Sequence, residues 1–261
     1  MVVQAHLSYA KRAALAKSRF AQSLFSLMET KRTNLALSAD VLHMKELLHL
    51  GDTLGPEICI LKTHIDIVRD FSKAAINELK TLAAKHHFFI FEDRKFADIG
   101  QTVKYQYQEG LYHICNWADL TNAHALPGPK QIESLAEVGL PLGRGLLLIA
   151  EMSSKGHLLT PDYCKATLEM AKQYPDFVAG FITQHALSSD PAWINMAPGI
   201  HLDASGDRLG QQYVQPDIAI IDRGIDVIIV GRGIVAAEDP LTTAKQYRKL
   251  GWEAYLRRAE S

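Results

Sequence analysis

The stretch Phe88-Phe-Ile-Phe-Glu-Asp-Arg-Lys-Phe-Ala-Asp-Ile-Gly100 combines three signals. Its first four residues are uniformly apolar, too few for a helix and without polar alternation, which suits a strand buried on both faces. Charged residues follow immediately. From Ile99 to Gln108 the pattern becomes helical. An apolar strand that ends in charges and feeds a helix is the repeating unit of parallel α/β folds.

The unit recurs along the chain. Comparable runs lie at Leu35–Ala39, Ile58–Leu61, Asp119–Ala123, Leu146–Ala150, Phe177–Ile182, Asn195–Ile200 and Val227–Val230. Helical stretches are expected at Val41–Leu50, Ile67–Lys85, Lys130–Val138, Tyr163–Gln173, Ser188–Trp193, Gln215–Arg223 and Ala236–Arg258. Eight strand-then-helix units without a linker or repeat point to one domain over residues 1–261, an α/β fold of the (β/α)8 TIM-barrel type. Met1 to Met28 has Lys11, Arg12, Lys17 and Arg19 but no acid, as a targeting leader does. Tyr9, Leu15, Phe20, Leu24 and Leu27 form an apolar stripe, however. The preferred reading is an additional N-terminal helix covering the bottom of the barrel.

Bulk composition removes several function classes. Hydrophobic residues make up 48% of the 261 and charged residues 22%, an ordinary globular balance. A net charge of −1 speaks against nucleic acid as a partner, and no apolar run approaches a membrane span. Cys59, Cys115 and Cys164 form no Cys-x-x-Cys pair, which argues for a reducing, cytoplasmic setting.

In a barrel of this kind, chemistry gathers at the carboxyl ends of the strands. Those ends supply Ser38 and Asp40, Lys62 and His64, Asp93 and Lys95, Glu151 and Ser153, Pro198 and Gly199, and Gly231-Arg232-Gly233. Asp93 and Lys95, two apart on a strand, are expected on one face, with Asp98 just beyond. An isolated Asp-x-Lys also fits a structural ion pair. With Asp40, Lys62 and Asp98 joining from other segments, an array of alternating charges at an active site is favoured. Gly231-Arg232-Gly233 alone could be a turn. Placed after the last strand, and with Leu209-Gly-Gln-Gln-Tyr213 after the seventh, it reads as a phosphate grip. His64 and His124 look like hydrogen-bonded packing residues, Glu151 fits a structural partner at the rim, and Tyr105, Tyr107 and Tyr112 look like packing or interface residues. No His, Asp, Glu or Cys spacing suggests a metal site.

The run Ile90 to Gly100 resembles the signature of the orotidine 5'-phosphate decarboxylase family, in wording close to its eukaryotic branch. Leu37-Ser-Ala-Asp40, Leu61-Lys-Thr-His-Ile-Asp66, Ala150-Glu-Met-Ser-Ser-Lys-Gly156, Ala197-Pro-Gly199, Gly210-Gln-Gln-Tyr213 and Val230-Gly-Arg-Gly233 match in the family's order. Gln101, where the family commonly has asparagine, and the short loop Leu126–Lys130 depart from it.

The resemblance implies decarboxylation of orotidine 5'-phosphate to UMP, the last step of UMP synthesis, with no cofactor and no metal. Lys95 is implied as the proton donor to C6, Asp93 as its positioner beside the substrate carboxylate, and Asp40 and Lys62 as ribose ligands. Ser38 is implied beside the ring, Ser153 at the pyrimidine edge, and Gln211, Tyr213 and Arg232 on the phosphate, with Pro198 and Gly231 also at the substrate. Asp98 and Thr102 are implied to come from the second subunit of a homodimer. Two other readings remain: a metal-dependent phosphosugar enzyme sharing Asp-x-Lys-x-x-Asp, and a catalytically dead nucleotide-binding protein.

Overall fold

In the computed structural model, which describes residues 7–202 and 212–260, eight parallel strands pair in sequence order and close into a barrel. They are β1 (Leu35–Ser38), β2 (Ile60–Thr63), β3 (Phe89–Phe96), β4 (Leu120–His124), β5 (Gly145–Ile149), β6 (Val178–Ile182), β7 (Ile194–Ala197) and β8 (Val227–Val230). β1, β2, β5, β6, β7 and β8 are buried at every position. One side of each strand fills the barrel and the other meets the helical layer, so uniformly apolar sequence is the physical requirement here. Between β6 and β7 the backbones approach so closely that a Cβ on Gly180 would lie 1.9 Å from the Ile194 carbonyl oxygen. Only glycine fits there.

The N-terminal expectation needs correction. Two helices, α1 (Tyr9–Leu15) and α2 (Arg19–Lys31), replace the single one. The chain is extended at Ala16 and Ser18, where each helix meets its cap. Tyr9, Phe20 and Leu24 are buried, while Leu15 is half-exposed. Phe20 packs edge-on against Phe89 and closes over Gly145, at the amino ends of β3 and β5. The pair thus covers the barrel floor.

Arg12, one of the residues that gave this segment a leader-like look, is 2% exposed. It forms a two-pronged ion pair with Asp226, which is fully buried just before β8. Arg258, near the end of the C-terminal helix, reaches the same carboxylate at 2.9 Å, and the Asn195 N–H donates to it at 2.9 Å. Burial would raise the Asp226 carboxyl pKa, but Arg12 and Arg258 bring it below the usual value.

The remaining helices are α3 (Met44–Leu54), α4 (Lys73–His86), α5 (Gly100–Gln108), α6 (Pro129–Gly139), α7 (Pro161–Ala171), α8 (Arg232–Val235) and α9 (Pro240–Glu260). α3 starts later than expected, with its Met44 N–H capped by Asp70 at 2.8 Å. The expected Ile67–Lys85 helix divides into a 3-10 turn at Ile65–Ile67 and α4, which the Ser72 hydroxyl caps. Residues 188–193 are not helical. Ser188 and Asp190 side chains capture the Asp190 and Ala192 N–H groups, and Pro191 has none to give. Ile218–Asp222 is a π-helical turn; the C-terminal helix, expected from Ala236, begins at Pro240 as α9, and the short α8 precedes the expected stretch. No helix among the described residues is long and apolar enough to cross a membrane.

Asp226 gathers both chain ends onto one buried charge, so its loss should be global. Asp226→Asn leaves two buried guanidiniums short of a counter-charge. It should lower the urea-unfolding free energy by about 3–5 kcal/mol with little change in the denaturant slope.

Candidate active site

β3 does not end at Phe91. It continues to Phe96 through an irregularity in its pairing with β4: β3 advances from Glu92 to Phe96 while β4 advances only from Thr121 to Ala123. Within this bulge Lys95 adopts a left-handed backbone, φ 53°. That conformation is uncommon for a lysine and costs energy that its surroundings must offset. Asn122 on β4 does so. Its Oδ1 accepts the Lys95 N–H at 2.7 Å, and its Nδ2 donates to Asp93 Oδ1 at 2.7 Å. Asp93 and Lys95 meet as expected, with Lys95 Nζ 2.8 Å from Asp93 Oδ1, but a bulge rather than a simple pleat joins them.

The other strands complete the array. Lys62, 5% exposed at the end of β2, lies 3.1 Å from Asp93 Oδ2 and 3.2 Å from Asp40 Oδ1. The Ser38 hydroxyl donates to the same Asp40 oxygen at 2.9 Å. His64 is hydrogen-bonded, as expected, and its partners belong to the charge array. Its Nε2 sits 3.2 Å from Asp93 Oδ2 and 3.9 Å from Asp40. Sequence alone does not reveal these partners, because Asp93 lies on β3 and Asp40 just past β1.

The electrostatics follow from burial and neighbours. Burial alone would raise the Asp93 pKa; Lys62, His64 and Lys95 overcome it and hold the carboxyl well below its usual range. Lys62 is the mirror case. Burial would lower its pKa, but Asp93 and Asp40 raise it, so its ammonium persists with little water. Asp40 is likewise brought down by Lys62 and His64 against burial. Burial and the Lys95 ammonium push the His124 imidazole below its ordinary value. Behind the array, burial pushes the fully enclosed Glu92 carboxyl up to about 8, opposed by hydrogen bonds from Thr63 and Ile65.

Ser38, Asp40, Lys62, Asp93 and Lys95 line one cavity of about 240 Å³. Ser153, Pro198, Tyr213, Gly231 and Arg232 line it too. Tyr213 is held by backbone bonds on its flank, from Val214 N–H to the Gly199 carbonyl and from His201 N–H to Val214. The Gln212 N–H reaches the Ser153 carbonyl at 3.2 Å, joining the loops after β5 and β7 over the mouth. Gly231 passes so close to Ser38 that a Cβ would lie 3.2 Å from the serine's own.

Two of the expected residues that the structure describes are not brought in. Gln211 lies outside the described residues. Half-buried Asp98 and exposed Thr102 do not line this chain's cavity; Asp98 Oδ1 instead accepts the N–H of Ile99 at the start of α5. Asn122, His201 and Gly233 also line the cavity. Asn122 carries no charge and belongs to no motif, so only its cross-strand bonds reveal it. Glu151 is structural as expected, accepting from the Thr183 hydroxyl and from the Gln184 and His185 N–H groups. Tyr107 is buried and Tyr105 is 57% exposed.

These couplings fix a pH dependence. Because the folded-state pKa of Asp93 is depressed, its contribution to stability is present above the unfolded value of about 3.9 and is lost as pH falls through the lower folded value. Asp93→Asn should lower the thermal midpoint by a constant amount from about pH 5.5 to 8, and the gap should narrow as pH drops below about 4. Differential scanning calorimetry across that range checks it.

Residues 33–247 match the family model described as Orotidine 5'-phosphate decarboxylase / HUMPS family. The orotidine 5'-phosphate decarboxylase of Phycomyces blakesleeanus is 53% identical over 261 residues, covering 99% of this chain and 98% of that protein. That of Rhizomucor pusillus is 55% identical over 256 residues, covering 97% of each. The uridine 5'-monophosphate synthase of Bos taurus is 53% identical over 253 residues, which are 97% of this chain and 53% of that longer protein. Among solved structures, the Methanocaldococcus jannaschii orotidine 5'-monophosphate decarboxylase complexed with the inhibitor BMP superposes with a TM-score of 0.66 at 21% identity. It covers 84% of this chain and 98% of that one, a likeness of fold.

Proposed function

The chain belongs to the orotidine 5'-phosphate decarboxylase / HUMPS family, and on that footing we propose that it converts orotidine 5'-phosphate to UMP and carbon dioxide without a cofactor, the last step of UMP synthesis. The observation that carries this reading is the Asp40–Lys62–Asp93–Lys95 array at the barrel mouth. Loss of carbon dioxide from C6 leaves a carbanion that no attached carbonyl can absorb as an enolate. A fixed ammonium aimed at that carbon is what the chemistry needs, and Lys95, anchored by Asp93 and Asn122, supplies it. Lys95 then delivers its proton to C6. One preorganised donor of this kind contributes about 3–4 kcal/mol, so most of the acceleration must come from the rest of the substrate.

Asp40 and Lys62 take the ribose hydroxyls, Ser38 and Pro198 flank the ring, and Ser153 binds the pyrimidine edge. Tyr213, Arg232 and the Gly231 backbone hold the phosphate, together with Gln211. Tyr213, Gly231 and Arg232 share the cavity with the charge array, which supports one elongated nucleotide site. Residues 1–261 act as a single catalytic domain in the cytoplasm, a reading favoured by the Asp226 contacts from both chain ends and by three free cysteines.

The active form is a homodimer in which Asp98 and Thr102 complete the neighbouring subunit's site. Both lie outside their own cavity, beside Ile99 and Tyr105, which are 54% and 57% exposed and offer apolar surface to a second copy.

Loss of orotate ultraviolet absorbance tests the activity. Purified protein in excess chelator should turn over orotidine 5'-phosphate; no turnover by folded protein, or turnover only with added metal, refutes the assignment. Lys95→Ala should lower kcat by at least about 10⁴-fold, the upper range for general acid catalysis, while UMP still binds by calorimetry. Mixed with inactive Asp98→Ala, it should regain part of the activity, since hybrid dimers hold one intact site. No rescue despite proven subunit exchange excludes the shared site.

A further inference from the structure

Glu92 is fully buried, immediately precedes Asp93, and has no part in the chemistry described above. It points away from the cavity, since side chains alternate along a strand and Asp93 faces inward. On β2, Lys62 lines the cavity and Thr63, the next residue, faces the other way; His64, just past the strand, reaches Asp93. The β2–β3 pairing ends at Thr63 opposite Glu92. Beyond that point β2 turns into the 3-10 turn at Ile65–Ile67, and His64, the residue at the break, has an irregular backbone of φ −123° and ψ 84°.

The Glu92 carboxyl grips both neighbours of His64. The Thr63 hydroxyl donates to Oε2 at 2.6 Å, and the Ile65 N–H donates at 3.1 Å to Oε1 and 3.2 Å to Oε2. That N–H opens the 3-10 turn and has no carbonyl partner within it, so the carboxyl satisfies a group that burial would otherwise penalise. Glu92 is itself held to β4, its carbonyl accepting from the Thr121 hydroxyl at 3.1 Å. Outside the barrel wall one carboxyl clamps β2 to β3; inside it, His64 and Lys62 meet Asp93 at 3.2 and 3.1 Å.

We propose that Glu92 is a positioning residue, whose carboxyl fixes the end of β2 so that His64 is presented to Asp93 at the mouth. The proposal rests on the decarboxylase reading for its kinetic consequence but not for its geometry. Bonds to both residues flanking His64 fix its backbone, and with it the point from which the imidazole reaches Asp93. A misplacement of about 1 Å at such a site costs on the order of 10²-fold in rate.

The test is a pair of double-mutant cycles on the full-length protein, with turnover of orotidine 5'-phosphate and melting temperature read in parallel. Glu92→Gln and Thr63→Val should each lower kcat/KM by about 10- to 100-fold, and Thr63→Ser, which keeps the hydroxyl, should stay within about twofold of wild type. In the His64→Ala background the kinetic cost of Glu92→Gln should shrink below about threefold, while its effect on melting temperature is unchanged. An equal kinetic cost in both backgrounds, or a fall in melting temperature with turnover intact, overturns the proposal. If Glu92→Gln does not fold, the Thr63→Val cycle decides on the same criteria. A separate measurement covers failure of the decarboxylase reading itself: the ¹⁵N signals of the His64 imidazole. Glu92→Gln or Thr63→Val should move them toward their positions in Asp93→Asn; unchanged signals refute the positioning role whether or not the wild type turns over substrate.

Discussion

A carboxylate that is 87% enclosed and still ionised dictates the geometry of this molecule's mouth, for Asp93 keeps only 13% of its side chain in contact with solvent. In so little water, a lone carboxyl would take up a proton. Asp93 stays charged because Lys62 and His64 arrive from β2, Lys95 from its own strand and Asn122 from β4. Three neighbouring strands must therefore meet in one register at one height. A closed parallel barrel supplies that register, and the buried apolar strands keep the backbones from sliding. The charges in turn constrain the barrel, since a shift of β2 against β3 would leave Lys62 buried without its partner.

How far this could be read from sequence depended on whether a residue's partner lies near it in the chain. The strands were visible because burial on both faces leaves an unbroken apolar run, and charges at their carboxyl ends marked the mouth. Asp93 and Lys95 were legible as a pair for a reason only partly right. Period-two alternation brings them to one face, but the chain reaches that face through a bulge, with Lys95 at φ 53°. Nothing in the local pattern announces the bulge, because its support is an asparagine side chain on the next strand. His64 shows the same dependence: local pattern predicts a hydrogen bond but not its partners, because Asp93 lies on β3 and Asp40 just past β1. The charge pattern places Asp98 in this chain's own array, and only the family likeness assigns it, with Thr102, to a second subunit's site.

The N-terminal segment shows the same limit in its starkest form. Basic residues without acids are what a leader has, and local composition offers no way to see that Arg12 is neutralised by Asp226, 214 positions later. The apolar stripe pointed correctly to packing. It could not foresee that the segment would break at Ala16–Ser18 to follow the floor of the barrel.

A balanced array has a consequence for the chemistry proposed here. Asp40 and Asp93 are offset by Lys62 and Lys95, so this array holds no surplus positive charge to attract a carboxylate, and Asp93 would stand beside one. On that proposal, binding must be driven from elsewhere on the substrate, and Tyr213, Gly231 and Arg232 line the β7–β8 side of the same cavity, where the phosphate is proposed to lie. A substrate carboxylate in the proposed pose would be poorly matched there; once carbon dioxide left, negative charge would reside on C6, toward Lys95. The same fixed charges then favour what they had opposed. Differential stabilisation of this kind requires that the ammonium not swing toward the ground-state carboxylate. The bonds that Lys95 makes through Nζ to Asp93 and through its backbone N–H to Asn122 oppose that swing, which would give its left-handed backbone a place in the proposed chemistry.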